Sequence, residues 1–247
     1  MGFFQSFGLD YGRETDNVSG NSNFIPVKCG DKRQIIETAR SLKIHPGLLV
    51  DQHANHMSSV LSRGQNDLNE FISYSIREII RNALEHSESD KYYYCGQYWP
   101  TKKRVELSIG DEGIGIFNSL KKNPENNLKN DTHAISTALG VGVSGNPKAG
   151  QSKDKMWGNT GFGLYVISEV ARDFGSLLIC SGSGSIGILG KSTKQKDCFI
   201  PGTILRLIID TEKINNTDKI VDEYVERGEK KSDQGRLASG ATKMARI

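Results

Sequence analysis

A run of apolar residues at three- and four-residue spacing constrains this chain more than anything else in it. Leu68, Phe71, Ile72, Ile76, Ile79, Ile80, Ala83 and Leu84 repeat with the helical period, which dictates an amphipathic helix from Asp67 to His86 lying on a core. Asp67 stands where an N-cap is wanted. A helix of that length needs a broad apolar surface beneath it, and neighbouring segments supply one. Tyr92–Trp99 and Arg104–Ile109 read as strands joined by a turn at Pro100–Lys103, with Leu177–Ser181, Ser185–Leu189 and Thr203–Asp210 as three more. Upstream come a short strand (Phe24–Cys29), a helix capped by Asp31 and running to Leu42, and a second helix from Asp51 to Arg63. Helices from Leu164 to Phe174 and from Asn216 to Arg227 complete the elements. The expected architecture is an α/β two-layer sandwich, a mostly antiparallel sheet with helices on one face.

The chain has 247 residues, 36% of them hydrophobic, enough for one sizeable core. We divide it into an N-terminal strap with a helical extension (1–66), a central domain (67–211), and a polar helix with a disordered tail (212–247). Within the central domain, 118–157 is polar and dotted with glycine, and carries one helical pattern from Thr132 to Leu139. A stretch of that kind in a compact domain predicts a functional lid or a disordered insert, and we take it as a lid. The net charge of +3 is too small to suggest a nucleic-acid binder. No run of apolar residues is long enough to span a membrane, and no secretory leader is visible. Cys29, Cys95, Cys180 and Cys198 lack metal or redox spacing, as expected of reduced thiols in a cytoplasmic protein.

The 27 glycines exceed the usual ~7% share, and two clusters of them carry chemistry. On the long helix, Glu78, Asn82 and Glu85 fall at i, i+4 and i+7 along one edge of the apolar face. An amide oxygen at Asn82 suits magnesium already bound to phosphates, and a carboxylate one turn earlier can orient or deprotonate water. Taken alone, the same stripe is a solvated edge. The first glycine loop, Asp111-Glu112-Gly113-Ile114-Gly115-Ile116, follows a strand. An acceptor-only carboxylate there can take a hydrogen bond from an exocyclic amino group, although tight turns use the same residues. The second loop, Gly158-Asn159-Thr160-Gly161-Phe162-Gly163-Leu164, opens a helix, where backbone amides and the helix dipole favour phosphate. It lacks the Lys-Ser/Thr ending of a P-loop. Thr203 follows Pro201-Gly202 at the start of the last strand.

In this order the four segments resemble the Bergerat-type ATP-binding domain of the GHKL superfamily. That superfamily contains DNA gyrase, the large heat-shock chaperone, sensor histidine kinases and the MutL mismatch-repair proteins. The resemblance covers Leu68 to Asp210. It implies ATP and Mg2+ as ligands, Asn82 as the magnesium ligand, and Asp111 as the adenine reader with Thr203 beside it. It also implies phosphates held around Gly158, Gly161, Gly163 and Leu164, a base-flanking loop at Gly113 and Gly115, and Glu78 as the water-activating residue. The implied activity is slow ATP hydrolysis that closes the lid and switches a protein partner, with a homodimer possible. Two alternatives stay open: a serine/threonine kinase resembling the anti-sigma-factor kinases, and a non-hydrolysing nucleotide-gated module. The segment around His53 and His56 does not resemble a phosphoacceptor box, and both are expected as ordinary helix-surface residues. His86, just after the long helix's polar stripe, is expected either to be structural or to support the site from behind its direct ligands. Tyr92, Tyr93, Tyr94, Tyr98 and Trp99 are expected on a half-buried strand or at an interface rather than as a nucleic-acid stacking strip.

Overall fold

The buried faces of the strands decide where everything else goes. The structure, a computed structural model, describes residues 22–146, 161–214 and 220–232. Five strands form one open antiparallel sheet: β1 (Phe24–Asp31), β2 (Lys91–Trp99), β3 (Arg104–Asp111), β4 (Gly175–Leu189) and β5 (Ser192–Asp210), in the spatial order β1-β2-β3-β5-β4. Along β3, Val105, Leu107, Ile109 and Asp111 are buried and the residues between them partly exposed, the period of a strand with one covered face. Register carries that face across the sheet: Ile109 pairs with Leu205 and Leu205 with Ile179, while Leu107 pairs with Leu207 and Leu207 with Leu177.

The described helices are α1 (Lys32–Leu42), α2 (Pro46–Ser62), α3 (Asn66–His86), α4 (Gly115–Leu120), α5 (Asp131–Ala138), α6 (Gly163–Phe174) and α7 (Ile220–Lys231). The expected apolar stripe of α3 packs against β2 and β3, with Phe71, Ile72, Ile76 and Ile80 essentially inaccessible, and α6 covers β4 and β5 with Val166, Ile167, Val170 and Ala171. Each such valine, isoleucine or phenylalanine removed from water contributes ~1.5–3 kcal/mol. The result is an α/β fold compatible with two layers. β1 pairs with β2 and α2 packs along α3, so residues 22–66 share the sheet and core of the segment that follows them.

Several boundaries differ from the sequence expectation for identifiable reasons. Asp31 caps α1 as expected, accepting from the N–H groups of Arg33 and Gln34. α2 starts at Pro46 rather than Asp51, because His45 Nδ1 accepts from Gly47 N–H at 3.0 Å and Pro46 takes the first helical position. α3 starts at Asn66, so the cap position falls to Gln65, which makes no side-chain cap bond, and not to Asp67. β4 is one strand with a register shift between Ser181 and Gly184 where two were expected, and β5 begins at Ser192 rather than Thr203. Residues 192–197 are all exposed, so no alternation marks them as strand. The expected lid is described to residue 146 and is folded there: α4, a 3-10 turn at Pro124–Asn126, and α5, whose Ala134 and Ile135 are buried. Asp131 ties α5 to β4, its Oδ2 accepting from Ser183 N–H at 2.9 Å and Oγ–H at 2.7 Å.

The N-terminal strap to residue 21, the lid from 147 to 157, Gly158, Asn216 and the tail beyond 232 lie outside the described residues. α7 runs to Lys231 rather than Arg227. Among the described residues, no helix is long and apolar enough to cross a membrane. All four cysteines are free thiols.

Candidate functional site

At one end of the sheet the apolar rows give way to polar residues. Asp111, Thr203 and Ser181 stand side by side on β3, β5 and β4, on the face that elsewhere carries valine, isoleucine and leucine. A carboxylate is costly in that row. Burial pushes the Asp111 pKa up to about 6, against the opposing pull of hydrogen bonds from the backbone N–H groups of Gly113 and Thr203. The Gly113 bond to Oδ1 measures 2.9 Å.

Asp111 and Thr203 line a cleft of about 870 Å³, open mouth included. Its walls are mostly apolar, with Ile79 and Ala83 from α3, Ile109, Ile179 and Leu205 from the sheet, and Leu120 and Val143 from the segment crossing above. A slot of this kind with a few convergent polar groups is the usual form of a small-molecule site. Of the residues singled out in the sequence, Asn82, Asp111, Gly115, Gly161, Gly163, Leu164 and Thr203 all line it.

The glycines are required by backbone contacts. Gly161 has φ +76, and a Cβ there would strike the backbone of Val143, whose neighbour Gly142 donates to Gly161 O at 3.2 Å. The crossing segment is thereby fastened to the second glycine loop. Gly202 has φ +79, and a Cβ on it would collide with Asp111 O. Gly113 is not among the lining residues. It packs under Ser87, where a Cβ would collide with Ser87 O, and the next residue, Ile114, donates to that oxygen at 2.8 Å.

Helix α3 turns two adjoining stripes toward this region. Ile79, Asn82, Ala83 and His86 face the cleft. Glu78, Arg81 and Glu85 form the stripe beside them, and Glu78 is not part of the cleft lining. Its Oε1 lies 3.0 Å from Arg81 Nη1 and 3.7 Å from Arg77 Nε, while Arg81 Nε reaches Glu85 Oε1 at 3.4 Å. Glu78 and Arg81 are 3% and 2% exposed, so this is a buried pair. Glu78 nevertheless touches the phosphate-loop candidate from below, since a Cβ on Gly163 would collide with its carboxylate. Helix α6 starts at that glycine without a side-chain cap, which leaves its N-terminal dipole to other partners.

His86, expected to be structural or to support the site, lines the cleft. Burial, followed by Arg81 and Lys122, holds its pKa down to about 4, so the imidazole is neutral at pH 7. His53 departs from the expected surface residue. It is half-buried, with Nε2 at 2.7 Å from the Tyr94 hydroxyl and Nδ1 at 3.3 Å from that of Tyr92, and burial, then His56 and Lys28, lowers its pKa. Tyr92 and Tyr94 are buried, in keeping with a half-buried strand.

Sequence reasoning did not find Ser181, Ser87, Ser119 or Ser144. Only Ser181 had a signal, because Leu177, Ile179 and Ser181 end their alternating row on a polar residue just as Ile109 and Asp111 do. No group of three or more His, Cys, Asp or Glu among the described residues could hold a metal ion alone. Comparison with family models, with curated proteins and with solved structures gave no match to this chain.

Proposed function

We propose that this chain is a cytoplasmic ATP-binding protein of the Bergerat type that hydrolyses ATP slowly and acts as a switch on a protein partner. The observation that carries this reading is Asp111, a buried carboxylate ending an apolar strand row at the wall of an apolar slot. Such a group is retained against its burial cost when a donor docks on it, and the amino group of adenine is a donor that fits. Ile79, Ile109, Ile179 and Leu205 would flank the flat base. The backbone of Gly161 and Gly163 and the start of α6 would face the phosphates. Asn82 would ligate Mg2+, which neutralises phosphate charge when bound. Glu78, beneath Gly163, would orient the attacking water, and its pairing with Arg81 is a reason for the turnover to be slow.

That same pair supports a second reading, a nucleotide-gated module without hydrolysis, because a carboxylate held by a buried guanidinium is a poor base. Calorimetric titration with MgATP and MgGTP, together with phosphate release by the purified protein, separates the two. Selective ATP binding with release supports the ATPase, and binding without release the module. No binding of ATP removes both.

A further inference from the structure

Resting on the ATP reading, the hydrogen bonds behind the cleft wall point to a determinant of base choice outside the wall itself. Ser181 is 1% exposed, and its hydroxyl is crowded by three partners. Ile116 N–H lies at 2.8 Å, Gly202 O at 3.1 Å and Thr203 Oγ1 at 3.1 Å. A serine hydroxyl has one hydrogen and two lone pairs. The Ile116 amide can only donate, so it occupies one lone pair. The Gly202 carbonyl can only accept, so it takes the hydrogen. Thr203 must then donate its own hydrogen to the remaining lone pair, and only this assignment satisfies all three contacts. Thr203, which lines the cleft, is left to face the ligand with lone pairs alone. Beside it stands Asp111, which when ionised is also acceptor-only.

We propose that Ser181 is a positioning residue that fixes the wall as a pure acceptor pair, so that the cleft selects a purine bearing a 6-amino group and rejects one bearing a 6-oxo group. The amino group carries two hydrogens, one for each acceptor. A 6-oxo purine presents an oxygen to both. Without Ser181 the Thr203 hydrogen is released, and the hydroxyl can rotate to donate to that oxygen.

The probe is inosine triphosphate, which differs from ATP only at the 6-position and the adjoining ring nitrogen. Affinities for MgATP and MgITP are measured on the full chain, on Ser181→Ala, on Thr203→Val and on the double variant. The parent should prefer ATP. Ser181→Ala should lower the ATP-to-ITP ratio by about tenfold, the weight of one polar contact changing sign. Thr203→Val should also lower it, and Ser181→Ala should have no further effect on the ratio in the Thr203→Val background. A general loosening of the fold would weaken both nucleotides alike and leave the ratio unmoved. A parental ratio retained in Ser181→Ala overturns the proposal and leaves the ATP reading intact. Should Ser181→Ala fail to fold, Thr203→Val decides, and an unchanged ratio there overturns the proposal. A parent that binds neither triphosphate overturns the ATP reading and this one with it.

Discussion

Replacing Asp111 by asparagine should stabilise the ligand-free protein while weakening its hold on ATP. Asp111 titrates at about 6 instead of the ordinary 3.8. The folded state therefore binds its proton more tightly than the unfolded chain does, and ionisation works against folding. The sign follows from linkage. Well below pH 3.8 the group is protonated in both states and carries no penalty. The penalty grows as pH rises between 3.8 and about 6 and is complete above that. At ~1.36 kcal/mol per pH unit its upper limit is ~3 kcal/mol. Asparagine keeps an oxygen for Gly113 N–H but turns an amide donor toward other neighbours, so a gain of ~1–2 kcal/mol is expected. For a chain of this length that raises Tm by roughly 2–8 °C. Thermal melts of parent and variant at pH 8 and pH 4 provide the assay, with a gain at pH 8 that shrinks to a small fraction at pH 4. In parallel, a donor facing the base amino group should lower ATP affinity about 30- to 1,000-fold. A variant less stable than the parent at pH 8, or equally stabilised at both pH values, would refute the account of Asp111 as a buried, strained carboxylate.

Asn82→Ala should weaken MgATP while leaving magnesium-free ATP nearly unaffected, whereas Glu78→Gln should bind normally and lose phosphate release by ~10²–10⁴-fold; equal effects of both variants on binding would argue against separate roles. Gly202→Ala should destabilise by more than ~2 kcal/mol and abolish nucleotide binding, because its φ of +79 and the Asp111 backbone both exclude a Cβ. Gly64→Ala, at φ +78 with nothing within 4 Å, should cost only the ~1–2 kcal/mol of a left-handed residue, and chemical denaturation of both checks the comparison. Asp131→Ala removes both bonds to Ser183, so amide exchange across α5 should speed up and ATP should dissociate faster; unchanged exchange would mean that packing of Ala134 and Ile135 alone holds the segment.

What the sequence made legible was whatever had a period. The α3 stripe, the alternating rows of β3 and β5, and the glycine loops were all readable, and most of the residues they marked line one cleft. Helical spacing did not separate Asn82 from Glu78, since a step of four residues moves only ~40° around the axis. Asn82 lies on the cleft side of that step and Glu78 on the side of Arg81. The arm formed by residues 192–202 was invisible because it has no covered face over most of its length. Docking of α5 brings Asp131 to Ser183, whose N–H and hydroxyl both donate to it, and no local pattern can reveal that pairing. Serines such as Ser181 carry no signal by themselves, and their meaning emerges only when register places them beside Asp111 and Thr203.

That row of three has a consequence for how the site comes into being. Asp111, Thr203 and Ser181 are contributed by three strands, and β5, the last in the chain, is the one seated between the other two. Until β5 is seated between β3 and β4, the row of Asp111, Thr203 and Ser181 is not assembled. On the proposed ATP reading, nucleotide would bind only the completed sheet and stabilise it by mass action, acting as a latch on the last step of assembly. A ribosome-bound chain ending before Thr203 would be blind to ATP. In the finished protein, ATP should slow exchange at the β3–β5 and β5–β4 pairings far more than at α1, which contributes no residue to the cleft lining.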